Sequence, residues 1–352
     1  MKALFIGGTG TISTAISRQF LAMESYPGVV DNELWLLNRG NRNGDLRTQA
    51  RRIGDLHEVH GDVNNEAETA EKLAGLSFDV VADFIAFTPE QVARDYRLFK
   101  GKTGQYLFIS SASAYQKPLA NYLITESTPL ANPYWLYSRN KIACEDFLMA
   151  KYREEGFPVT IIRPSHTYDE RSVPLGVHGR NGSWQVVKRI MEGKPVIIHG
   201  DGTNLWTMTH NSDFASAFTG LMGNPHAIGE AVQITGDETL TWNQVYAGIA
   251  AALGKPLRAV HVSSEFLAAC GPDYDFTGGL IGDKANSVVF DNTKLKRLVP
   301  GFCSTVRFDQ GLRLAVDYIL DHPECQREDP EFDVWCDRVI AALEKAVREV
   351  QG

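Results

Sequence analysis

The sequence predicts an α/β protein built on a doubly wound parallel sheet. Short apolar runs alternate with amphipathic stretches of helix length, and most of these runs are continuous instead of alternating with polar residues. A strand that is apolar on both sides is covered on both faces, as in a parallel sheet between two layers of helices. Strands and helices in regular alternation are typical of the doubly wound class.

Seven apolar runs predict the strands of the large sheet: 2–6, 33–37, 58–61, 79–86, 105–109, 159–162 and 231–235. The first helix follows Thr14 and buries Ile16, Phe20 and Met23, and another begins at Pro89, which needs no amide partner in a first turn. A third helix carries Tyr137 near its start. Its predicted buried face is Ala143, Phe147 and Ala150.

Beyond residue 166 the sequence becomes richer in Gly, Pro, Arg and Ser, and predicts a second, smaller lobe. The predicted elements are helices at 183–192, 241–253 and 334–350, strands at 196–199 and 257–262, and an exposed acidic connection at 322–333. We expect a dinucleotide-binding domain at 1–168 to which 205–240 returns. Residues 169–204 and 241–352 would form a discontinuous C-terminal substrate lobe with a final helix.

Composition narrows the function. The 352 residues include 35 Lys+Arg and 43 Asp+Glu, so the net charge of −8 argues against a nucleic-acid or anionic-membrane partner. No apolar run is long enough to span a bilayer, and the N-terminus lacks a signal-peptide pattern, so we expect a cytoplasmic protein. The odd number of cysteines, five, and the scattered histidines predict neither a disulfide framework nor a metal site.

A glycine-rich loop, 7–13 (GGTGTIS), lies directly after the first strand and before a helix. The first glycines permit a tight turn, and Gly10 lets the backbone approach a pyrophosphate at the helix N-terminus. Ser13 stands where the third glycine of the pattern is usual, and it is small enough to keep the helix close to the strand. The loop therefore predicts a dinucleotide site whose contacts come from Gly7, Thr9, Gly10, Thr11 and Ile12.

The end of the second strand bears on the choice of cofactor. NAD sites usually carry an acid there to hold the ribose hydroxyls, whereas this strand ends in Asn38 and Arg39, with Arg42 nearby. Either arginine could pair with a 2′-phosphate, which favours NADP over NAD. The alternative is two solvated loop arginines, with the adenosine held by backbone contacts.

Tyr137 and Lys141 form a Y-x-x-x-K pair that shares one helix face. An ammonium near the phenol would lower the pKa of Tyr137 and make it a general base. Ser111 follows the strand 105–109, at the carboxyl edge where such sheets bind ligands, and its hydroxyl can hold a substrate oxygen. The alternative is an ordinary helix surface and a polar strand end.

Together these motifs resemble the extended short-chain dehydrogenase/reductases, the NAD-dependent epimerase/dehydratase family of Rossmann proteins. Further matches are Arg163-Pro164, the Gly-Asp-Gly turn 200–202 and the stretch 234–238. The resemblance implies a Ser111, Tyr137 and Lys141 triad. It also implies cofactor contacts from Asp62, Val63, Phe84, Ile85, Ala86 and Pro164. The stretch 282–294 resembles a subgroup that includes the chloroplast stem-loop-binding proteins, some of which bind RNA.

The predicted substrate residues are Ser113, His166 and Trp206, and each departs from the family pattern. Ala112 and Ser113 replace the Asp-Glu pair of the 4,6-dehydratases, Trp206 replaces an arginine that grips the substrate pyrophosphate, and His166 replaces a frequent asparagine. We therefore expect an NAD(P)-dependent epimerase or dehydrogenase that acts on a secondary alcohol of a sugar-like or sugar-nucleotide-like molecule. The alternative is a non-catalytic cofactor-sensing or RNA-associated protein. A homodimer is one candidate assembly.

Overall fold

A computed structural model describes residues 1–24, 27, 29, 31–40, 46 and 54–352. The helices of this part are α1 (Ser13–Ala22), α2 (Glu66–Lys72), α3 (Pro89–Phe99), α4 (Leu136–Glu155), α5 (Trp184–Met191), α6 (Asn211–Leu221), α7 (Trp242–Ala252), α8 (Ser264–Cys270), α9 (Thr293–Leu298), α10 (Phe308–Asp321) and α11 (Pro330–Gln351). The strands are β1 (Lys2–Ile6), β2 (Glu33–Asn38), β3 (Asp55–His60), β4 (Phe78–Asp83), β5 (Thr103–Ile109), β6 (Leu123–Ile124), β7 (Val159–Pro164), β8 (His166–Tyr168), β9 (Val196–His199), β10 (Leu205–His210), β11 (Ala231–Ile234), β12 (Thr239–Thr241), β13 (Ala259–Val262) and β14 (Val289–Phe290).

The large sheet confirms the predicted fold class. It has seven parallel strands in the order β11-β7-β5-β4-β1-β2-β3, and each contains or overlaps one of the seven apolar runs. Helices α1 and α6 pack on one face, where Phe20 and Phe218 are buried. Helices α3 and α4 pack on the other, with Phe99 and Leu148. From β1 the sheet grows first to one side, through β2 and β3, and then to the other, through β4 and the later strands. Such sheets bind ligands in the crevice at the point where the order changes side.

A second apolar core lies in the C-terminal half, around α5, α7, α10 and the first half of α11. Short sheets accompany it: β10 between β8 and β12, β9 with β13, and β6 with β14. An eight-residue π-helix, Thr277–Lys284, also belongs to this part. Such helices are rare and occur preferentially at functional sites. Within the described residues, no helix is long and apolar enough to cross a membrane.

Two local predictions were wrong. The buried face of α4 is Ser138, Lys141, Cys144, Glu145 and Leu148, and not the predicted Ala143, Phe147 and Ala150, which are only half-buried. The helix turns polar groups inward because each finds partners there, and hydrophobicity alone does not reveal this. The last helix begins at Pro330, four residues before the predicted start.

The early start of α11 has a local cause. The Asp329 side chain caps the helix by accepting from the Phe332 amide at 3.1 Å, and the Phe332 ring is buried in the second core. Part of the segment predicted to be an exposed connection is therefore ordered helix.

Candidate active site

The glycine-rich loop joins β1 to α1 as the sequence predicts. Gly7 has a φ of +82°, and a Cβ there would collide with Cγ2 of Ile85. Ser13 ties the loop together, because its hydroxyl donates to the Gly7 carbonyl at 2.7 Å and accepts from the Gly10 amide at 2.8 Å. The serine at the third-glycine position thus stabilises the turn with its side chain.

A cleft of about 620 Å³ opens beside this loop. Eight of the predicted cofactor residues line it: Gly7, Thr9, Gly10, Asn38, Arg39, Asp62, Val63 and Ile85. The wall is completed by residues that no sequence motif singled out: Leu37, Gly40, Gly61, Asn64, Phe87 and Gln91. The glycine cradle, the N-terminus of α1 and the volume of the cleft fit a dinucleotide. Arg39, which directly follows β2, is exposed at this cleft.

The other predicted cofactor residues lie elsewhere. Phe84 packs against Phe5 and Phe218 in the core, and the Ala86 side chain is buried. Thr11 contacts Arg171, whose Nη2 lies 3.4 Å from the threonine hydroxyl. Ile12 precedes α1, Pro164 lines a different pocket, and Arg42 lies outside the described residues.

Lys141 is almost fully buried between the sheet and the loop after β4. Its Nζ donates to the carbonyl oxygens of Ala86 and Ile109, both at 2.7 Å. The ammonium also lies 4.5 Å from the centroid of the Phe87 ring and 5.9 Å from that of Tyr137. Burial lowers the pKa of Lys141 to about 8.

Tyr137 lies in the first turn of α4 and has neighbours at the walls of the cleft and of a second pocket. Its ring is 6.2 Å from that of Phe87, a residue of the cleft wall. Burial raises its pKa, and the hydrogen bond of the nearby Ser111 hydroxyl opposes this rise. The predicted lowering of the Tyr137 pKa is therefore wrong for this geometry, because desolvation of the phenol dominates and the Lys141 ammonium is directed to two carbonyls.

Ser111 begins the second pocket, which has a volume of about 200 Å³. The three predicted substrate residues Ser113, His166 and Trp206 line it with Ser111, and so does Pro164. The Ser113 hydroxyl lies 2.9 Å from that of Ser111 and accepts from Ser138 at 2.7 Å. Burial lowers the pKa of His166 to about 3, so its imidazole is neutral near pH 7.

Two further residues of this pocket, Asp283 and Lys284, were missed. They come from the last turn of the π-helix. Gly282-Asp283-Lys284 belongs to the stretch that resembles the stem-loop-binding subgroup. That resemblance singles out these residues, but it does not say where they lie relative to Ser111. The Asp283 carboxyl faces Tyr137 closely enough to raise the pKa of that phenol further.

Comparison with known proteins decides the family. The model of the NAD dependent epimerase/dehydratase family matches residues 3–235. The chain belongs to this family. Membership confirms the predicted enzyme class, and this family binds NAD, as the glycine cradle of the cleft suggests.

Among curated family relatives, 2'-dehydrokanamycin reductase of Streptomyces kanamyceticus is 25% identical over 302 residues, which are 86% of this chain and 80% of that protein. The chloroplast stem-loop binding protein of 41 kDa b of Arabidopsis thaliana is 26% identical over 72% of this chain and 64% of its own length. The solved dTDP-glucose 4,6-dehydratase of Bacillus anthracis, in complex with NAD, has a TM-score of 0.70 at 20% identity and covers 92% of this chain and 98% of its own. It shows the same fold.

Proposed function

We propose that this protein is an NAD(P)-dependent oxidoreductase or epimerase that oxidises a secondary alcohol of a sugar-like substrate. The observation that carries the proposal is the place of Tyr137 between the two pockets. Its ring neighbours Phe87 of the cofactor cleft, and its phenol neighbours Ser111 of the smaller pocket. A substrate in the smaller pocket would therefore lie against the phenol and face the cleft.

Each triad residue has a role that follows from its contacts. Tyr137 takes the proton of the substrate hydroxyl, while Ser111 holds the same oxygen by a hydrogen bond. Lys141 fixes the loop that bears Ala86 and Phe87, and it contributes positive charge beside the phenol. When bound, an oxidised nicotinamide supplies the hydride acceptor and a further positive charge. Added positive charge near the phenol would favour the phenolate against the burial that raises the pKa of Tyr137.

The same first half-reaction serves two outcomes. If the ketone leaves, the enzyme is a dehydrogenase or, in reverse, a reductase. If the hydride returns to the other face of the ketone, the product is an epimer. A dehydratase is not proposed, because Ala112 and Ser113 stand where that activity needs an acid pair, and the Ser113 hydroxyl is held by two serines.

The proposed cofactor is NADP in preference to NAD, on the strength of Arg39 at the cleft. The division into a dinucleotide-binding domain and a substrate lobe, the homodimer and the cytoplasmic location remain predictions. A purely RNA-associated role is not favoured, because the chain carries a net charge of −8 and a binding protein needs no buried ammonium beside a phenol.

The test is reduction of nicotinamide by the purified protein. NAD⁺ and NADP⁺ are each incubated with a panel of free and nucleotide-linked sugars, and absorbance of the reduced cofactor is followed. Formation of reduced cofactor with at least one sugar supports the proposal. Protein that carries co-purified RNA, and that binds neither dinucleotide, contradicts it.

A further inference from the structure

The smaller pocket presents hydrogen-bond donors that lack partners. Trp206 is 4% exposed, and its indole Nε1 has no acceptor within the described residues. His166 Nδ1 is likewise buried and without a partner. Lys284 lines the pocket as well, and its Nζ is held only loosely, by Asp283 Oδ2 at 3.7 Å. Buried polar groups are nearly always satisfied, so the unpartnered atoms of Trp206 and His166 indicate a ligand that brings hydrogen-bonding groups of its own.

The pocket wall carries one carboxylate, Asp283, and one ammonium group, that of Lys284. Asp283 faces two ammonium groups, those of Lys284 and of the buried Lys117, and both oppose the rise of its pKa that burial causes. His166 contributes no charge, because burial and the nearby Lys284 hold its pKa far below 7. Lys284 lines the pocket, and the Asp283 carboxylate beside it is also partly neutralised by Lys117, so Lys284 keeps charge with which an anionic ligand group can pair.

A nucleotide-linked sugar does not fit within the pocket alone. Its volume of about 200 Å³ lies below the ~300 Å³ that marks the lower bound for drug-sized ligands. The arginines that could grip a pyrophosphate are engaged elsewhere. Arg171 donates from Nε to Asp169 at 2.8 Å, and Arg180 pairs with Asp273 at 3.4 Å. Neither lines the pocket, and Trp206 occupies the position from which the family's arginine would act.

We propose that the pocket takes a single-ring sugar that carries its own anionic group, a carboxylate or a phosphate, and that Lys284 pairs with this group. The indole N–H of Trp206 donates a second hydrogen bond to the ligand. The proposal rests on the proposed function, because it concerns the substrate of the same site. It goes further, because it states that the substrate is an acidic sugar that is not linked to a nucleotide.

The test compares acids with their neutral parents. The protein saturated with NADP⁺ is titrated calorimetrically with glucuronate, galacturonate and mannuronate, with glucose, galactose and mannose, with the three hexose 6-phosphates, and with UDP-glucose. We expect at least one acid to bind about tenfold or more tightly than its parent. Preference for uronates identifies a carboxylate as the anionic group, and preference for hexose phosphates identifies a phosphate.

Variants of Lys284 test the assignment to that residue. Lys284→Met keeps most of the side-chain length and removes the charge. We expect it to weaken binding of the acid by a factor of about ten to a hundred, so that the acid no longer binds more tightly than its parent. Lys284→Arg restores part of the preference. Lys255→Met, at an exposed lysine away from both pockets, leaves it unchanged. Trp206→Phe weakens acid and parent alike, because its donor is uncharged.

The outcomes separate the two proposals. If neutral or nucleotide-linked sugars bind better than every acid and are oxidised in a Tyr137-dependent way, the inference about Lys284 is overturned and the proposed function stands. An acid preference that survives Lys284→Met also overturns the inference. If no sugar of any kind binds or is oxidised, the proposed function itself fails.

Discussion

Lys141 links the catalytic helix to the central sheet through the carbonyl oxygen of Ile109, to which its Nζ donates at 2.7 Å. Ile109 is the last residue of β5, and Ser111 lies two residues beyond it. The lysine therefore fixes the distance between the start of α4, which carries Tyr137, and the strand end that carries Ser111. A charged group is buried here because positioning and charge are both needed at the same point.

The first prediction concerns the pH dependence of stability that Lys141 causes. Burial lowers its pKa from 10.5 to about 8, so the unfolded chain binds more protons between those values. Stability should then rise with pH from about 8 to 10.5 by an amount on the order of 3 kcal/mol from this group. Urea unfolding of wild type and Lys141→Met at several pH values measures the difference between their slopes. Parallel slopes would show that the lysine is not desolvated.

The second prediction concerns the glycine cradle. Gly7→Ala places a Cβ against Ile85, in a residue with φ of +82°. We expect a loss of dinucleotide affinity of about tenfold or more, measured by calorimetry.

Gly101→Ala is the matched control for this variant. Gly101 also has a positive φ, +70°, but a Cβ there would meet nothing within 4 Å. Both variants should lose about 1–2 kcal/mol of stability from backbone strain. Only Gly7→Ala should lose the cofactor, and equal affinities in the two variants would argue against this loop as the pyrophosphate site.

The third prediction concerns the choice between NADP and NAD. Arg39→Ala should raise the Kd for NADP⁺ by about ten- to a hundredfold and leave that for NAD⁺ nearly unchanged, because only NADP⁺ carries the 2′-phosphate. Arg348→Ala, in the exposed end of α11, is the control. An equal effect on both dinucleotides would remove Arg39 from cofactor selection without touching the fold.

The fourth prediction concerns the buried ion pair behind the site. Arg163 Nη2 donates to Glu145 Oε2 at 2.6 Å, and both side chains are almost fully buried. Glu145→Leu leaves the guanidinium without its partner and should lower the free energy of unfolding by about 3–5 kcal/mol. Glu66→Leu breaks the exposed pair with Arg97 and should cost no more than about 1 kcal/mol. Similar losses in the two variants would contradict the account of this pair.

Much of the fold is predictable from the sequence, because continuous apolar runs need cover on both faces and so identify the strands of a parallel sheet. The glycine-rich loop, Ser111 and the Tyr137–Lys141 pair are also visible, since their positions relative to the strands follow from the same pattern. The buried face of α4 could not be predicted, because Lys141 is buried through hydrogen bonds and Glu145 through an ion pair, and no hydrophobic pattern reveals either.

The lining of the second pocket is harder still to predict from the sequence. Asp283 and Lys284 are distant in sequence from Ser111, and an irregular π-helix brings them together. Hydrophobic periodicity reveals neither the π-helix nor the approach of Asp283 and Lys284 to Ser111. Phe87 was missed although its neighbours Phe84 to Ala86 were identified, since the resemblance that named those residues ended one position too early. The structure places Phe87, and not Phe84, at the cleft wall.

Single-turnover formation of reduced nicotinamide shows whether Tyr137 is the general base. Tyr137→Phe removes the ionisable group and keeps the ring, so the rate should fall by about 10²–10⁴-fold while cofactor affinity and melting temperature stay close to wild type. Tyr122→Phe, at a tyrosine that is 62% exposed, should not change the rate. A Tyr137→Phe protein that reduces nicotinamide at the wild-type rate would contradict the account.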